Sequence, residues 1–288
     1  MMKTYYRVKR LLKKGRLQFR RWLAVRRWGR AALQKSPKVM GLALPKGGSH
    51  FIHQTLSGLA DIGPFINPGF PPVNRFEDNS PLREEIILAD INKMGAGEIR
   101  YGYIPCVEPF LSNLTKPDRA TVFIYRDPRD LVVSHVFYAT DMYLDHGMHE
   151  LYQQLDSMEA RLNVAIEGSS KKGFELGNVW DRYLHQIKWL ETPQVLSIRF
   201  EDLILNREKT IEKILDYIES FDVEFSCTRP EAIEAIKKTI QPKKAGTFRK
   251  GQPGNWQEHF TPENKTRFKN IAGDLLTKLG YEENDLEW

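Results

Sequence analysis

The sequence lacks what a metal-stapled, cross-linked or membrane-spanning protein would need. It has two cysteines, Cys106 and Cys227, far apart and without a CxxC pair. Neither a zinc ligand set nor a disulfide scaffold is expected from them, and a reducing cytoplasm is the setting that fits. No run of 18 apolar residues occurs, so no transmembrane helix is expected. The N-terminus lacks the apolar stretch of about 7–15 residues that marks a secretory signal, which argues against a lumenal, single-pass enzyme. Acidic residues are missing from the first 60 positions, and the first acid is Asp61. Internal repeats and low-complexity linkers are also absent, so one domain plus an arm is the simplest organisation.

The 288 residues are 41% hydrophobic and 28% charged, which suits one large folded domain. The net charge of +6 is unevenly placed. Residues 1–38 hold fourteen lysines and arginines and no acid; taken from +6, these leave −8 for the rest. The high isoelectric point therefore belongs to an arm, residues 1–37, and not to the body, residues 38–288. Within the arm, Val8, Leu12, Phe19 and Trp22/Leu23 recur at helical spacing, with Gly15 as an expected break. Such a basic amphipathic helix can lie on an anionic membrane surface. It can equally pack its apolar stripe on the body and leave its charges in water. No nucleic-acid partner is expected.

Downstream, short apolar runs alternate with helical patterns. Val39–Leu44, Glu98–Tyr103, Ala120–Tyr125 and Gln194–Phe200 read as strands. Helices are predicted from Ser49 to Leu59, from Pro128, over Met158–Ile166, and over 176–191, 207–220, 230–240 and 262–280. Residues 61–82 and much of 141–175 read as irregular. Strands alternating with helices give a mainly parallel sheet covered on both faces, a three-layer α/β/α domain of P-loop-like type.

Such a sheet binds ligands at the carboxyl ends of its strands. The first strand ends in Pro45-Lys46-Gly47-Gly48-Ser49-His50. The glycines let backbone N–H groups approach an anion, the following helix points its positive end there, and Lys46 adds a full charge. The loop is not GxxxxGK[ST]: it is shorter, and its lysine precedes the glycines. A plain tight turn would look similar in isolation. Two further segments point the same way. In Arg126-Asp127-Pro128-Arg129-Asp130-Leu131-Val132-Val133-Ser134, Arg126 ends a buried strand and Ser134 lies two turns into a helix. In Arg249-Lys250-Gly251, adjacent cations before a glycine suit a loop that clamps a phosphate.

With these segments in this order, the sequence resembles the sulfotransferases that use 3′-phosphoadenosine 5′-phosphosulfate (PAPS). The family carries a PKSGT-type loop, an R-x-P-x-D-x-x-x-S segment and RKGxxGDW near the C-terminus. The resemblance covers about residues 38–270. It implies transfer of a sulfuryl group from PAPS to a hydroxyl or amine by in-line displacement, releasing 3′,5′-bisphosphoadenosine (PAP), without a metal. It implies that Lys46 stabilises the leaving phosphate oxygen and that Gly47, Gly48, Ser49 and His50 hold the 5′ end. Phe51 takes the place of an aromatic residue that stacks on adenine, and Phe200 that of a tyrosine beside it. Arg126 and Ser134, joined by Arg249, Lys250 and Gly251, resemble the 3′-phosphate clamp.

The sequence departs from the family at the general base. Where many members have histidine, Tyr101-Gly102-Tyr103-Ile104-Pro105 places Tyr103. A phenol of pKa about 10 is a poor base unless nearby cations lower it. Tyr103 with a lowered pKa, another residue such as His50, His53 or Glu108, or an acceptor needing little base help all remain open. His53 reads as structural, His146 and His149 as solvent-exposed, and Trp256 and Phe260 as core anchors of the clamp. A small-molecule, lipid or glycan acceptor is expected. The competing function is a non-catalytic adenine-nucleotide-binding protein docked on a membrane. A kinase is disfavoured by the missing GxxxxGK[ST].

Overall fold

The computed structural model describes residues 2–67, 69, 72–76, 80–241, 249, 251–284 and 288, with side chains from residue 15 onward. Lys250 lies outside the described residues.

The arm is one helix, α1 (Met2–Trp28), followed by a short α2 (Arg30–Lys35). Gly15 does not break α1. Nothing crowds that position, and an interior glycine costs a helix only about 1 kcal/mol. The break comes at Gly29, whose φ of +82° an L side chain rarely adopts.

The body then runs β1 (Lys38–Ala43), α3 (Ser49–Ser57), α4 (Leu59–Ile62), α5 (Glu84–Asn92), β2 (Ile99–Gly102), α6 (Phe110–Leu114) and β3 (Arg119–Tyr125). It continues through α7 (Pro128–Phe137), a π-helical turn over Tyr138–Met142, α8 (His149–Gln153), α9 (Met158–Glu167) and α10 (Val179–Leu184). After a 3-10 turn at Ile187–Glu191 come β4 (Val195–Arg199), α11 (Phe200–Leu205), α12 (Arg207–Glu219) and α13 (Arg229–Thr239). A 3-10 turn at Asn255–Glu258, α14 (Pro262–Ala272) and α15 (Leu275–Lys278) complete the order.

Several boundaries differ from the sequence reading. The helix predicted over 176–191 is α10 plus a 3-10 turn, and the one over 262–280 is α14 plus α15. The fourth strand stops at Arg199, and Phe200 opens α11.

The four strands form one parallel sheet in the order β2-β1-β3-β4. Its alternation sets the two cores. Met40, Leu42 and Phe123 face α7, α9, α10 and α14, while Val39, Ala43, Val122 and Ile124 face α3, α12 and α13. Helical layers therefore cover both faces, and β3 is buried along nearly its whole length, as an inner parallel strand must be. The order also places the ligand crevice. After β1 the chain leaves toward β2, and after β3 it leaves toward β4. The connections part above the carboxyl ends of β1 and β3, the topological switch point.

Among the described residues, no helix is long and apolar enough to cross a membrane. Both cysteines are unpaired, and Cys106 is buried.

Candidate functional site

The switch point is flanked by the two segments that follow β1 and β3. Leaving β1, the chain turns through Pro45–Gly48, closed by Gly47 N–H donating to the Leu44 carbonyl at 2.9 Å. Lys46 adopts φ of +67°, unusual for a residue with a side chain and a mark of local strain. Gly48, with φ of +105°, precedes α3. A Cβ there would stand 2.8 Å from Cδ2 of Phe200, so glycine is what lets the loop lie against that ring. No side chain caps α3, and its first N–H groups remain directed toward the crevice.

Arg126 follows β3 and comes back over the loop. Its guanidinium donates to the Lys46 carbonyl at 3.3 Å, lies 3.6 Å from the Asp130 carboxylate and sits 4.6 Å above the Phe200 ring. Phe51 and Phe200 meet edge to face at 5.3 Å, both buried, so the two residues assigned to adenine are neighbours. Ser134 is half-buried on α7, one turn beyond Asp130. Arg249 lies over the Phe137 ring at 3.9 Å, and Gly251 adopts φ of +60°.

Three cations converge here. Burial, followed by the charges of Arg126 and Arg249, brings Lys46 down to about 8. Burial and then Arg126 pull Arg249 below its usual value. Among the described residues, the Nε of Arg126 finds no acceptor. Lys46 and Arg249, both destabilised beside Arg126 at a helix N-terminus, form a cluster that an anion of several charges would relieve. The ammonium of Lys46 sits 3.9 Å above the Tyr138 ring, a favourable seat for a desolvated cation.

The candidate bases divide. Tyr103 exchanges a hydrogen bond of 3.1 Å with the Ser49 hydroxyl. Burial pushes its pKa up, outweighing the downward pull of Ser49 and Arg75. The lowered phenol that a tyrosine base would require is therefore not what this environment produces. His50 moves the other way: burial, then Lys46, lower its pKa and keep the ring neutral near pH 7. It also lines a cavity of about 790 Å³ between α1 and α3, with Arg20, Arg27, Trp28, His53 and Phe65. His53 packs edge-on against Tyr101 at 4.6 Å and is held at about 4. Glu108 lies elsewhere, accepting from the Ser112 hydroxyl at the start of α6.

His146 and His149 are not solvent-exposed as their polar surroundings suggested. His146 packs against His135 at 5.2 Å and Tyr138 at 5.7 Å, and His149 Nδ1 lies 2.8 Å from the Ala139 carbonyl. Trp256 and Phe260 are buried and meet at 5.7 Å.

Sequence reasoning missed Asp130. Its buried carboxylate accepts the N–H groups of Gly254 and Trp256 while facing Arg126. It is the acid of the R-x-P-x-D-x-x-x-S segment, so the signal was present in the motif. Tyr138 and Arg75, whose guanidinium lies 6.0 Å from the Tyr103 ring, carried no signal. Among the described residues, no three His, Cys, Asp or Glu side chains gather as a metal site would require.

Comparison with known proteins gives one consistent result. The pattern of the sulfotransferase domain matches residues 36–280. A flavonol sulfotransferase-like protein of Flaveria bidentis is 26% identical over 55% of this chain and 55% of its own length. The chain thus spans about half of that relative. Sulfotransferase 2A1 of Rattus norvegicus is 23% identical over 84% of this chain and 85% of its own. In fold, the chain resembles mouse sulfotransferase SULT7A1 complexed with PAP, with a TM-score of 0.59 at 15% identity over 88% of this chain and 90% of that one. Retinol dehydratase in complex with androsterone and PAP gives 0.53 at 14% identity, over 89% and 85%.

Proposed function

This chain belongs to the sulfotransferase family, and on that premise we propose that it moves the sulfuryl group of PAPS to a hydroxyl or amine of a small-molecule acceptor, releasing PAP. The observation that carries the reading is the convergence of Lys46, Arg126 and Arg249 on the uncapped start of α3. A nucleotide with phosphate at both ends matches that arrangement. The 5′ end falls to Lys46, Gly47, Gly48, Ser49 and His50, and the 3′-phosphate to Arg126, Ser134, Arg249, Lys250 and Gly251. Phe51 and Phe200 supply the adenine contact.

The chemistry is an in-line displacement. The acceptor oxygen or nitrogen forms a bond to sulfur as the bond from sulfur to the 5′-phosphate oxygen breaks. Negative charge grows on that leaving oxygen, where Lys46 and the amides at the start of α3 offset it. The acceptor's proton goes to His50, whose ring is kept neutral by burial and the nearby Lys46. Tyr103 stays a phenol and orients the Ser49 hydroxyl. With Lys46 and backbone amides in that role, the step calls for no metal.

The acceptor class is drawn by analogy. One relative is named for flavonols, and one related structure holds androsterone. A hydroxyl-bearing small molecule, with lipids and glycans included, is the acceptor class this analogy suggests. Two unpaired cysteines fit a cytoplasmic setting. The division into an arm over 1–37 and a catalytic body over 38–288 suits a family match that begins at residue 36.

Incubation with ³⁵S-labelled PAPS and a cell extract tests the reading. Label should pass to an acceptor and PAP should accumulate in step with it. Tight PAP binding without transfer to any acceptor would instead favour a non-catalytic nucleotide-binding protein.

A further inference from the structure

Among the described residues, the aromatic pair in the apolar row of the arm, Phe19 and Trp22, does not face the body. α1 turns Leu17, Ala24 and Trp28 inward, where they pack with Leu33 and Ile66. Phe19 and Trp22 point out and are 59% and 53% exposed, flanked by exposed Leu23 and Val25. Trp22 lies roughly 160° around the helix from Ala24.

Polar anchors set this orientation. Arg21 pairs at 2.8 Å with Glu98, whose side chain is fully buried and also holds Arg100. Arg20 donates to the Asn67 carbonyl and Arg27 to the Asp61 carbonyl. These bonds fix how the helix is rolled, so the aromatic row cannot turn in without breaking them.

The outward face is built for one kind of partner. Phe19 and Trp22 stack at 5.9 Å, and the Arg26 guanidinium covers the Trp22 ring at 5.6 Å. Those ring faces are occupied, which disfavours stacking on nucleic-acid bases. The arm of a second copy would bring thirteen more cations and no arm acid to pair with them. Arg16 and Arg26 are exposed beside the row. An exposed apolar and aromatic strip flanked by cations matches the interface of an anionic bilayer.

We propose that the outer face of α1 docks on an anionic lipid surface, with Phe19 and Trp22 entering the interface and the flanking arginines meeting lipid phosphates. The arm thus has two faces, one holding the body and one holding the membrane.

Flotation of the full chain with vesicles of phosphatidylcholine, alone or mixed with phosphatidylglycerol, tests this. The chain should float with the mixed vesicles and stay behind with phosphatidylcholine alone. F19S/W22S should weaken partitioning by about tenfold or more while leaving PAP binding intact. R16E/R26E, which keeps both aromatic residues, should weaken it comparably and serves if the first variant misfolds. Four results would overturn the proposal: no flotation with either vesicle, flotation unchanged in both variants, binding to an oligonucleotide in place of the mixed vesicles, or a concentration-dependent dimer that F19S/W22S disperses.

Discussion

The carboxylate of Asp130 accepts the backbone N–H of Trp256 at 2.8 Å. It also accepts from Gly254 at 2.9 Å and faces Arg126 at 3.6 Å. One buried acid therefore ties the arginine at the end of β3 to the loop that follows Arg249. Removing it leaves a buried cation and two N–H groups without their acceptor. Asp130→Ala is expected to cost about 3–5 kcal/mol of stability and to weaken PAP binding more than tenfold. Asp130→Asn, which keeps one acceptor oxygen, should lose less of both. Thermal unfolding with and without PAP measures the two effects; unchanged values in Asp130→Ala would contradict the tie.

Lys46 predicts a pH dependence of definite sign. Its ordinary value is 10.5, and burial with Arg126 and Arg249 holds it at about 8. The cation is the form that holds an anion. PAP affinity should therefore be level below about pH 8 and fall as pH rises through it, well before an ordinary lysine would titrate. Above pH 8, binding should take up a proton, which calorimetry in buffers of different ionisation enthalpy detects. Arg249→Ala removes a neighbouring charge and should move the midpoint upward. Lys46→Ala should abolish this dependence and lower turnover by about 10²–10³-fold.

His50 and Tyr103 are separated by their opposite shifts. If His50 takes the acceptor's proton, turnover falls on the acid side as the ring is protonated. That limb should lie below the ordinary histidine value of 6.5, because burial and Lys46 lower it. His50→Asn should cost about 10²–10⁴-fold and erase the limb. Tyr103→Phe should cost far less and leave the profile's shape unchanged. A large loss in Tyr103→Phe together with an intact limb in His50→Asn would reverse the assignment.

Gly48→Ala tests the loop without touching a charge. The added Cβ would stand 2.8 Å from Phe200 and 3.1 Å from Ile124, at a φ of +105°. The expected cost is about 1–3 kcal/mol, read as a lowered Tm. PAP affinity should fall with it because the loop must leave the Phe200 ring. A variant as stable as the parent would show that the backbone can relax there.

The parts of this protein that were legible in the sequence are those set by short-range pattern. A short apolar run marked β1, β-branched and aromatic runs marked β3 and β4, and the glycines after β1 marked the turn into α3. α5 was missed because Glu84–Asn92 keeps only one buried side chain, Ile91, and so carries little amphipathic signal. The link from Asp130 to Trp256 spans 126 positions and runs to backbone N–H groups, which no side-chain pattern reports. The arm shows the converse. Its stripe was plain in the sequence, but its direction depends on Arg21 reaching a buried Glu98. The sign of the Tyr103 shift depends on burial that only the packed structure supplies.

The most direct test of the account is a calorimetric titration of PAP into the full chain without magnesium, repeated with 5′-AMP and with Mg·ATP. Tight, magnesium-independent binding of PAP is expected, with 5′-AMP weaker by about a hundredfold and Arg126→Ala removing most of that difference. Equal affinity for PAP and 5′-AMP, or a preference for Mg·ATP, would contradict the assignment of Lys46, Arg126 and Arg249 to a single PAPS site.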